Sequence, residues 1–241
     1  MILSVILPTY NEAQNIARII SAITKVFSDE AIEGEVIVVD DDSPDGTAAI
    51  AADLAGSCPV KVRMRTGLRG LSRSVIEGFG TARGDICVVM DADLSHPVDL
   101  IPDLIEPILA GNCDIVVGSR YRTGGGVPDW PRRRRLLSRA AGFLAKGVTT
   151  LSDPTSGFMA VKRDTLEGVE LDPRGWKVVL EVVVKAKARV LEIPIVFRDR
   201  ARGRSKFGVK AQVDYLRQLG RLYAFRYPLF RKRRGRSLPK R

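Results

Sequence analysis

Two aspartates one residue apart close an apolar run at Met90-Asp91-Ala92-Asp93. Within a strand such neighbours point to opposite faces, but where the strand ends the chain turns and both carboxylates can reach one divalent cation. Hard carboxylate oxygens suit Mg²⁺ or Mn²⁺, ions that keep several waters and bind substrate phosphates. Read alone, the pair is equally a solvated turn, because short motifs recur by chance. A second apolar run ends in Asp40-Asp41-Asp42, and Ser43-Pro44-Asp45-Gly46-Thr47 leads from it into a helix. Turn and capping chemistry explains Ser43, Pro44 and Gly46. It does not explain three consecutive acids, whose repulsion requires a nearby cation or the hydroxyl and amino groups of a ligand. A third run ends in Leu7-Pro8-Thr9-Tyr10-Asn11-Glu12, where Thr9 or Asn11 would cap the next helix and Tyr10 would either pack or meet a ligand.

The elements that must position these residues are legible as short β-branched runs at residues 2–7, 35–39, 60–65, 85–90 and 114–117. Between them, residues 12–27, 70–82 and 97–109 carry apolar side chains at helical spacing. Alternation of this kind predicts an α/β fold, a mostly parallel central sheet with helices on both faces. Ligands bind such sheets beyond the strand ends, where the polar clusters fall. After residue 117 a glycine-rich loop (124–126) and an arginine run (132–135) lead into an amphipathic helix reaching about residue 151. A strand at 158–162, a helix at 178–188, a strand at 190–197, a basic mobile loop at 198–208 and a helix at 209–225 follow. Glu181 reads as an acid tolerated in a core helix.

The 241 residues carry a formal net charge of +11 with 45% hydrophobic residues, which excludes a disordered polycation. The charge is uneven: residues 201–241 hold 14 Lys or Arg and one acid, Asp214, whereas the first 200 hold 25 basic and 27 acidic residues. A basic tail of this kind binds polyanions: nucleic acid, anionic lipid or a phosphorylated substrate. Cys58, Cys87 and Cys113 form no CxxC pair, so a reducing compartment is expected and a structural zinc site is not. Neither a signal peptide nor a membrane-spanning run is legible.

The strings LPTYNE, VVDDDSPDGT, MDADLSHP, GSRY, DPTSGF and FRDRARGRSKFG, in this order over residues 1–208, resemble family 2 glycosyltransferases of the GT-A fold, and most closely their dolichyl-phosphate (polyprenyl-phosphate) mannose synthase branch. SPDGT with RxxGxSK carries the resemblance to that branch; the DxD alone marks many glycosyltransferases. The resemblance implies that Pro8, Tyr10, Glu12, Asp40 and Ala92 line a nucleotide pocket. Asp91 and Asp93 would hold Mg²⁺ or Mn²⁺ against the sugar nucleotide's diphosphate. Relatives often have Gln as a further metal ligand where this chain has Ser95, which would bind through its hydroxyl or a water. Asp42 replaces the Gly or Asn of many relatives. Arg200 and Lys206 would close over the donor phosphates, and Asp153 would face the acceptor.

The reaction implied moves mannose from GDP-mannose to a dolichyl or polyprenyl phosphate, inverting the anomeric centre. A divalent cation offsets charge building on the nucleoside diphosphate. The acceptor phosphate is already anionic, so no strong base is needed, in keeping with one histidine, His96, placed in a turn where a structural role is expected. Arg120, Arg132, Arg133, Arg134, Arg135 and Ser138 are candidates to grip the acceptor phosphate.

The expected division is a catalytic domain at 1–208 and an amphipathic helix with basic tail at 209–241. Leu136, Leu137, Ala140, Phe143 and Leu144 form one apolar stripe, and Tyr215, Leu216, Leu219, Leu222, Tyr223 and Phe225 another. Basic amphipathic helices lie in lipid head groups. A peripheral enzyme on the cytoplasmic membrane face is therefore expected, with or without an anchoring partner protein. Nucleic-acid binding would explain the tail but not the acidic strand ends, which repel phosphate unless a metal intervenes. A dinucleotide-binding oxidoreductase would need GxGxxG after the first strand, which is absent. A glucose or other hexose donor, carried by UDP, is the competing expectation within the family.

Overall fold

The computed structural model describes residues 1–172, 174, 177–198 and 209–228. Its strands are β1 (Leu3–Thr9), β2 (Gly34–Asp40), β3 (Val60–Met64), β4 (Ile86–Val89), β5 (Ile115–Ser119), β6 (Met159–Lys162) and β7 (Val190–Pro194). They form one sheet in the order β3-β2-β1-β4-β6-β5-β7, in which β6 runs antiparallel to β4 and β5 and the other pairs are parallel. The helices are α1 (Ile16–Asp29), α2 (Thr47–Asp53), α3 (Leu71–Thr81), α4 (Ile101–Leu109), α5 (Arg132–Ala145), α6 (Val178–Lys185) and α7 (Val209–Arg226). The mixed sheet with helices on both faces is the expected fold class.

Strand periodicity splits the core in two. Leu3, Val5 and Leu7 of β1 face α1 and α4, where Ile16, Ile19, Ile20, Ile23 and Phe27 recur at helical spacing and are buried. Burying side chains of this kind stabilises by about 1.5–3 kcal/mol each. Ile6, on the other pleat, packs with Val75 of α3 and Val178, Val179 and Val182 of α6. Gly78 permits the approach of α3 to β1, since a Cβ there would lie 2.4 Å from Ile6 Cγ2.

A third cluster joins the last helices: Ala145 and Val148 at the end of α5, Leu180 and Val184 of α6, and Tyr215, Leu219 and Leu222 of α7. The two amphipathic stripes therefore separate. Leu136, Leu137, Phe143 and Leu144 of α5 are exposed, as are Leu216 and Phe225 of α7, but Tyr215, Leu219 and Leu222 face the body rather than a lipid surface. Glu181 is buried, as expected of a tolerated acid, and its carboxylate accepts hydrogen bonds from Lys185 Nζ, Gln218 Nε2 and the Asp172 amide.

Candidate functional site

Strand order reverses between β1 and β4, and the polar clusters stand at the C-terminal ends of these two strands and of β2. Such a switch point opens a crevice between the loops of adjacent strands. The β1 and β2 register places Thr9 opposite Asp40, and Thr9 Oγ1 donates to Asp40 Oδ2 at 2.8 Å. Thr9 therefore does not cap α1; the cap position is Asn15. Asp40, wholly buried, also accepts from the Ser43 amide and hydroxyl at 2.8 and 2.6 Å.

The SPDGT segment stitches two loops together. The Asn11 amide donates to Ser43 Oγ at 3.0 Å, the Glu12 amide to Thr47 Oγ1 at 2.9 Å and the Ala13 amide to Asp45 Oδ2 at 3.0 Å. Asn11 adopts φ +60°, a conformation its short polar side chain tolerates. The three consecutive acids find protein partners. Asp41 pairs with Arg65 and accepts from the Gly70 amide. Asp42 lies exposed beside Arg69. Arg69 was not among the expected site residues. It donates to the Tyr10 hydroxyl at 2.6 Å and to the carbonyls of Asp41 and Asp42, with its guanidinium 4.4 Å from the Tyr10 ring centre. This clamp ties together the loops after β1, β2 and β3.

The next polar cluster is the turn after β4. Asp91 is part-exposed, while Ala92, Asp93 and Ser95 are buried. Asp93 Oδ1 accepts from the Ser95 amide at 3.0 Å, and Leu94 is held at φ +63°. The turn thus brings both carboxylates to the end of β4. Ser95 Oγ is buried without a hydrogen-bond partner among the described residues. Buried hydroxyls of this kind require a ligand, ion or water to complete them. His96 is a structural residue: it stacks on Phe158 at 5.1 Å, meets Phe197 edge-on at 5.4 Å, and its Nδ1 accepts the Asp91 amide at 3.1 Å. Burial outweighs the attraction of Asp91 and Asp93 and holds its pKa below the ordinary value, so the ring is neutral at pH 7.

Arg120 follows β5 and Asp153 comes from the loop before β6. Arg120 Nε and Nη2 donate to the two Asp153 oxygens at 2.6 and 2.7 Å, and Nη2 also reaches Thr155 Oγ1 at 2.7 Å. Burial alone would raise the Asp153 pKa, but the hydrogen bonds and charge of Arg120 hold it below the ordinary carboxylate value. Asp153 reciprocally overcomes desolvation to keep Arg120 charged. Ser138 Oγ of α5 lies 3.4 Å from Thr155 Oγ1.

The arginine run divides by environment. Arg132 and Arg133 are exposed. Arg135 is spent on the helix start, donating to the carbonyls of Trp130 and Pro128. Arg134, half-buried, lies 3.9 Å from the Trp130 ring centre, and Arg120 lies 5.0 Å from the same ring. Trp130 thus holds two guanidinium groups near one another by cation–π attraction. Lys177, also absent from the expected residues, donates to the Thr155 carbonyl at 2.8 Å. Arg198 donates its amide to the Ser95 carbonyl at 3.2 Å. Arg200 and Lys206, expected over the donor phosphates, lie outside the described residues.

The acidic turn after β4 and the cationic cluster after β5 therefore stand at the same end of the sheet, an arrangement suited to a metal-bound diphosphate beside a second anion. A family model described as glycosyl transferase family 2 matches residues 4–169. The chain is 46% identical over 230 residues to a dolichol-phosphate mannosyltransferase of Pyrococcus furiosus, covering 92% of this chain and 64% of that protein, so it spans just under two thirds of that relative's length. It is 36% identical over 236 residues to the dolichol-phosphate mannosyltransferase of Saccharomyces cerevisiae, covering 93% of this chain and 88% of that one. Among solved structures, mannosyl-3-phosphoglycerate synthase from Rubrobacter xylanophilus superposes with a TM-score of 0.70 at 19% identity, covering 100% of this chain and 77% of that one. Glucosyl-3-phosphoglycerate synthase from M. tuberculosis, solved with Mn²⁺, UDP-glucose and glycerol 3-phosphate, gives 0.67 at 22% identity, covering 93% and 79%. These structural likenesses give the fold, that of GT-A glycosyltransferases.

Proposed function

Because the chain belongs to glycosyl transferase family 2, we propose that it transfers mannose from GDP-mannose to the phosphate of dolichol or a related polyprenol. The observation that carries this reading is the identity of 46% and 36%, over more than nine tenths of the chain, to proteins named for that reaction. Its chemistry suits the crevice. Asp91 and Asp93, with the Ser95 hydroxyl that has no hydrogen-bond partner among the described residues, fit a divalent cation that retains waters and substrate oxygens. When bound, Mg²⁺ or Mn²⁺ would offset the negative charge developing on the departing diphosphate. Pro8, Tyr10, Glu12 and Ala92 line the nucleotide side, with Asp40 bracing the wall from behind and Arg69 closing it. Arg200 and Lys206 are assigned to the donor phosphates.

Arg120, Arg134 and Ser138 hold the acceptor phosphate, and Asp153 fixes the Arg120 fork. One acceptor oxygen attacks the mannose anomeric carbon as the bond from that carbon to the GDP oxygen breaks, and GDP leaves with the bonding pair. Attack opposite the leaving group inverts the anomeric centre. The nucleophile is an anion before it reacts, so a neutral, buried His96 is no obstacle.

The acceptor is a membrane lipid, and α5 presents Leu136, Leu137, Phe143 and Leu144 to its surroundings beside exposed Arg132, Arg133 and Arg139. No helix among the described residues is long and apolar enough to cross a membrane. We assign this face to the surface of the cytoplasmic leaflet, alone or with an anchoring partner. A donor screen with a polyprenyl phosphate and Mn²⁺ tests the reading: transfer from GDP-mannose is expected, and transfer from UDP-glucose alone would replace the sugar while leaving the acceptor.

A further inference from the structure

Lys177 stands immediately before α6. An ammonium carries three N–H donors. Among the described residues, the acceptor it reaches is the Thr155 carbonyl at 2.8 Å. Thr155 is also bonded through its hydroxyl to Arg120 and Asp153, which places Lys177 beside that ion pair. Lys177 is half-buried, and a partly desolvated cation with donors to spare is favourably completed by an anion. Asp153 is poorly placed to serve, because Arg120 and Thr155 already occupy its oxygens.

Thr155 is the point on which three groups converge. Its hydroxyl accepts from Arg120 Nη2 and lies 3.4 Å from Ser138 Oγ, while its carbonyl holds Lys177. One residue thus sets the separation of a guanidinium, a hydroxyl and an ammonium. Forked guanidinium and compact ammonium groups are complementary ligands for a phosphate, the first by geometry and the second as a point charge.

We propose that Lys177 binds an oxygen of the acceptor's phosphate monoester, completing the site formed by Arg120 and Ser138. The proposal rests on the polyprenyl-phosphate reading given above. It is tested with the full chain and its Lys177→Met and Lys177→Arg variants by calorimetric titration of farnesyl phosphate, with farnesol as the uncharged control and GDP with Mn²⁺ as the donor-side control. Lys177→Met is expected to weaken farnesyl phosphate by roughly tenfold or more, the loss of a charged hydrogen bond. Lys177→Arg should recover part of that loss, with farnesol and GDP binding unchanged. A purely structural role would move all three ligands together and overturn the proposal. Equal farnesyl phosphate binding by wild type and Lys177→Met, no binding by wild type, or a loss confined to GDP would also overturn it. If farnesyl phosphate binding depends on Lys177 but no sugar donor reacts with it, the phosphate site stands and the mannose-transfer reading falls.

Discussion

Arg120 and Asp153, 33 residues apart in sequence, share a two-pronged ion pair with contacts of 2.6 and 2.7 Å, and Asp153 is wholly buried. Removing one partner would leave the other charge without compensation. Asp153→Asn is expected to lower unfolding free energy by about 3 kcal/mol, toward the lower end of the cost of breaking a buried pair. Urea denaturation at pH 7 measures this, and a midpoint equal to wild type would contradict the structural role.

The same pair sets a pH dependence. The folded pKa of Asp153 lies below its ordinary 3.8, so its contribution is fully present above that value and fades as pH falls through the lower folded pKa. The stability gap between wild type and Asp153→Asn should hold steady from pH 7 to pH 5 and close progressively below 3.8. A gap that widened on acidification would have the wrong sign.

Asp93→Ala should remove Mn²⁺-dependent GDP-mannose binding while leaving the fold intact. The comparison is a titration with and without Mn²⁺, and unchanged metal-dependent affinity would refute the ligand role.

Arg69→Ala releases Tyr10 and the Asp41 and Asp42 carbonyls together. The lost stacking and hydrogen bonding amount to roughly 1–2 kcal/mol. Donor affinity should fall by about tenfold with acceptor affinity unchanged. Equal effects on both substrates would mean that the clamp serves the whole fold.

Two variants separate membrane contact from packing. Leu136→Ser combined with Phe143→Ser alters exposed positions, so stability should shift by about 0.5 kcal/mol or less per site while sedimentation with anionic vesicles drops. Tyr215→Ala removes a buried ring and should cost about 3 kcal/mol. Vesicle binding unchanged by the α5 pair would remove this face from the membrane.

The strands were legible because β-branched runs at residues 2–7, 35–39 and 85–90 have no competing helical period, and the acidic turns mark where those runs end. What the sequence hid were partnerships across distance. Thr9 looks like a helix cap until the β1 and β2 register sets it against Asp40. Spacing cannot rank four consecutive arginines, whereas Trp130 separates Arg134 from its neighbours. Lys177 and Arg69 carry no motif, and their partners lie 22 and 59 residues away. The α7 stripe was ambiguous because a helix buried on a neighbouring helix and one lying on lipid present the same apolar period.

Helix α5 carries Arg134 near its start and exposed Phe143 nine positions later, about 13 Å along the axis at the α-helical rise. That is less than half the thickness of a bilayer's hydrocarbon core. On the proposed reading, the phosphate is gripped while its isoprenoid chain stays immersed. Lifting the chain clear would cost about 0.8 kcal/mol for each methylene exposed to water. On that reading the extraction would be avoided, and polyprenol length should matter little once the first few units are in place.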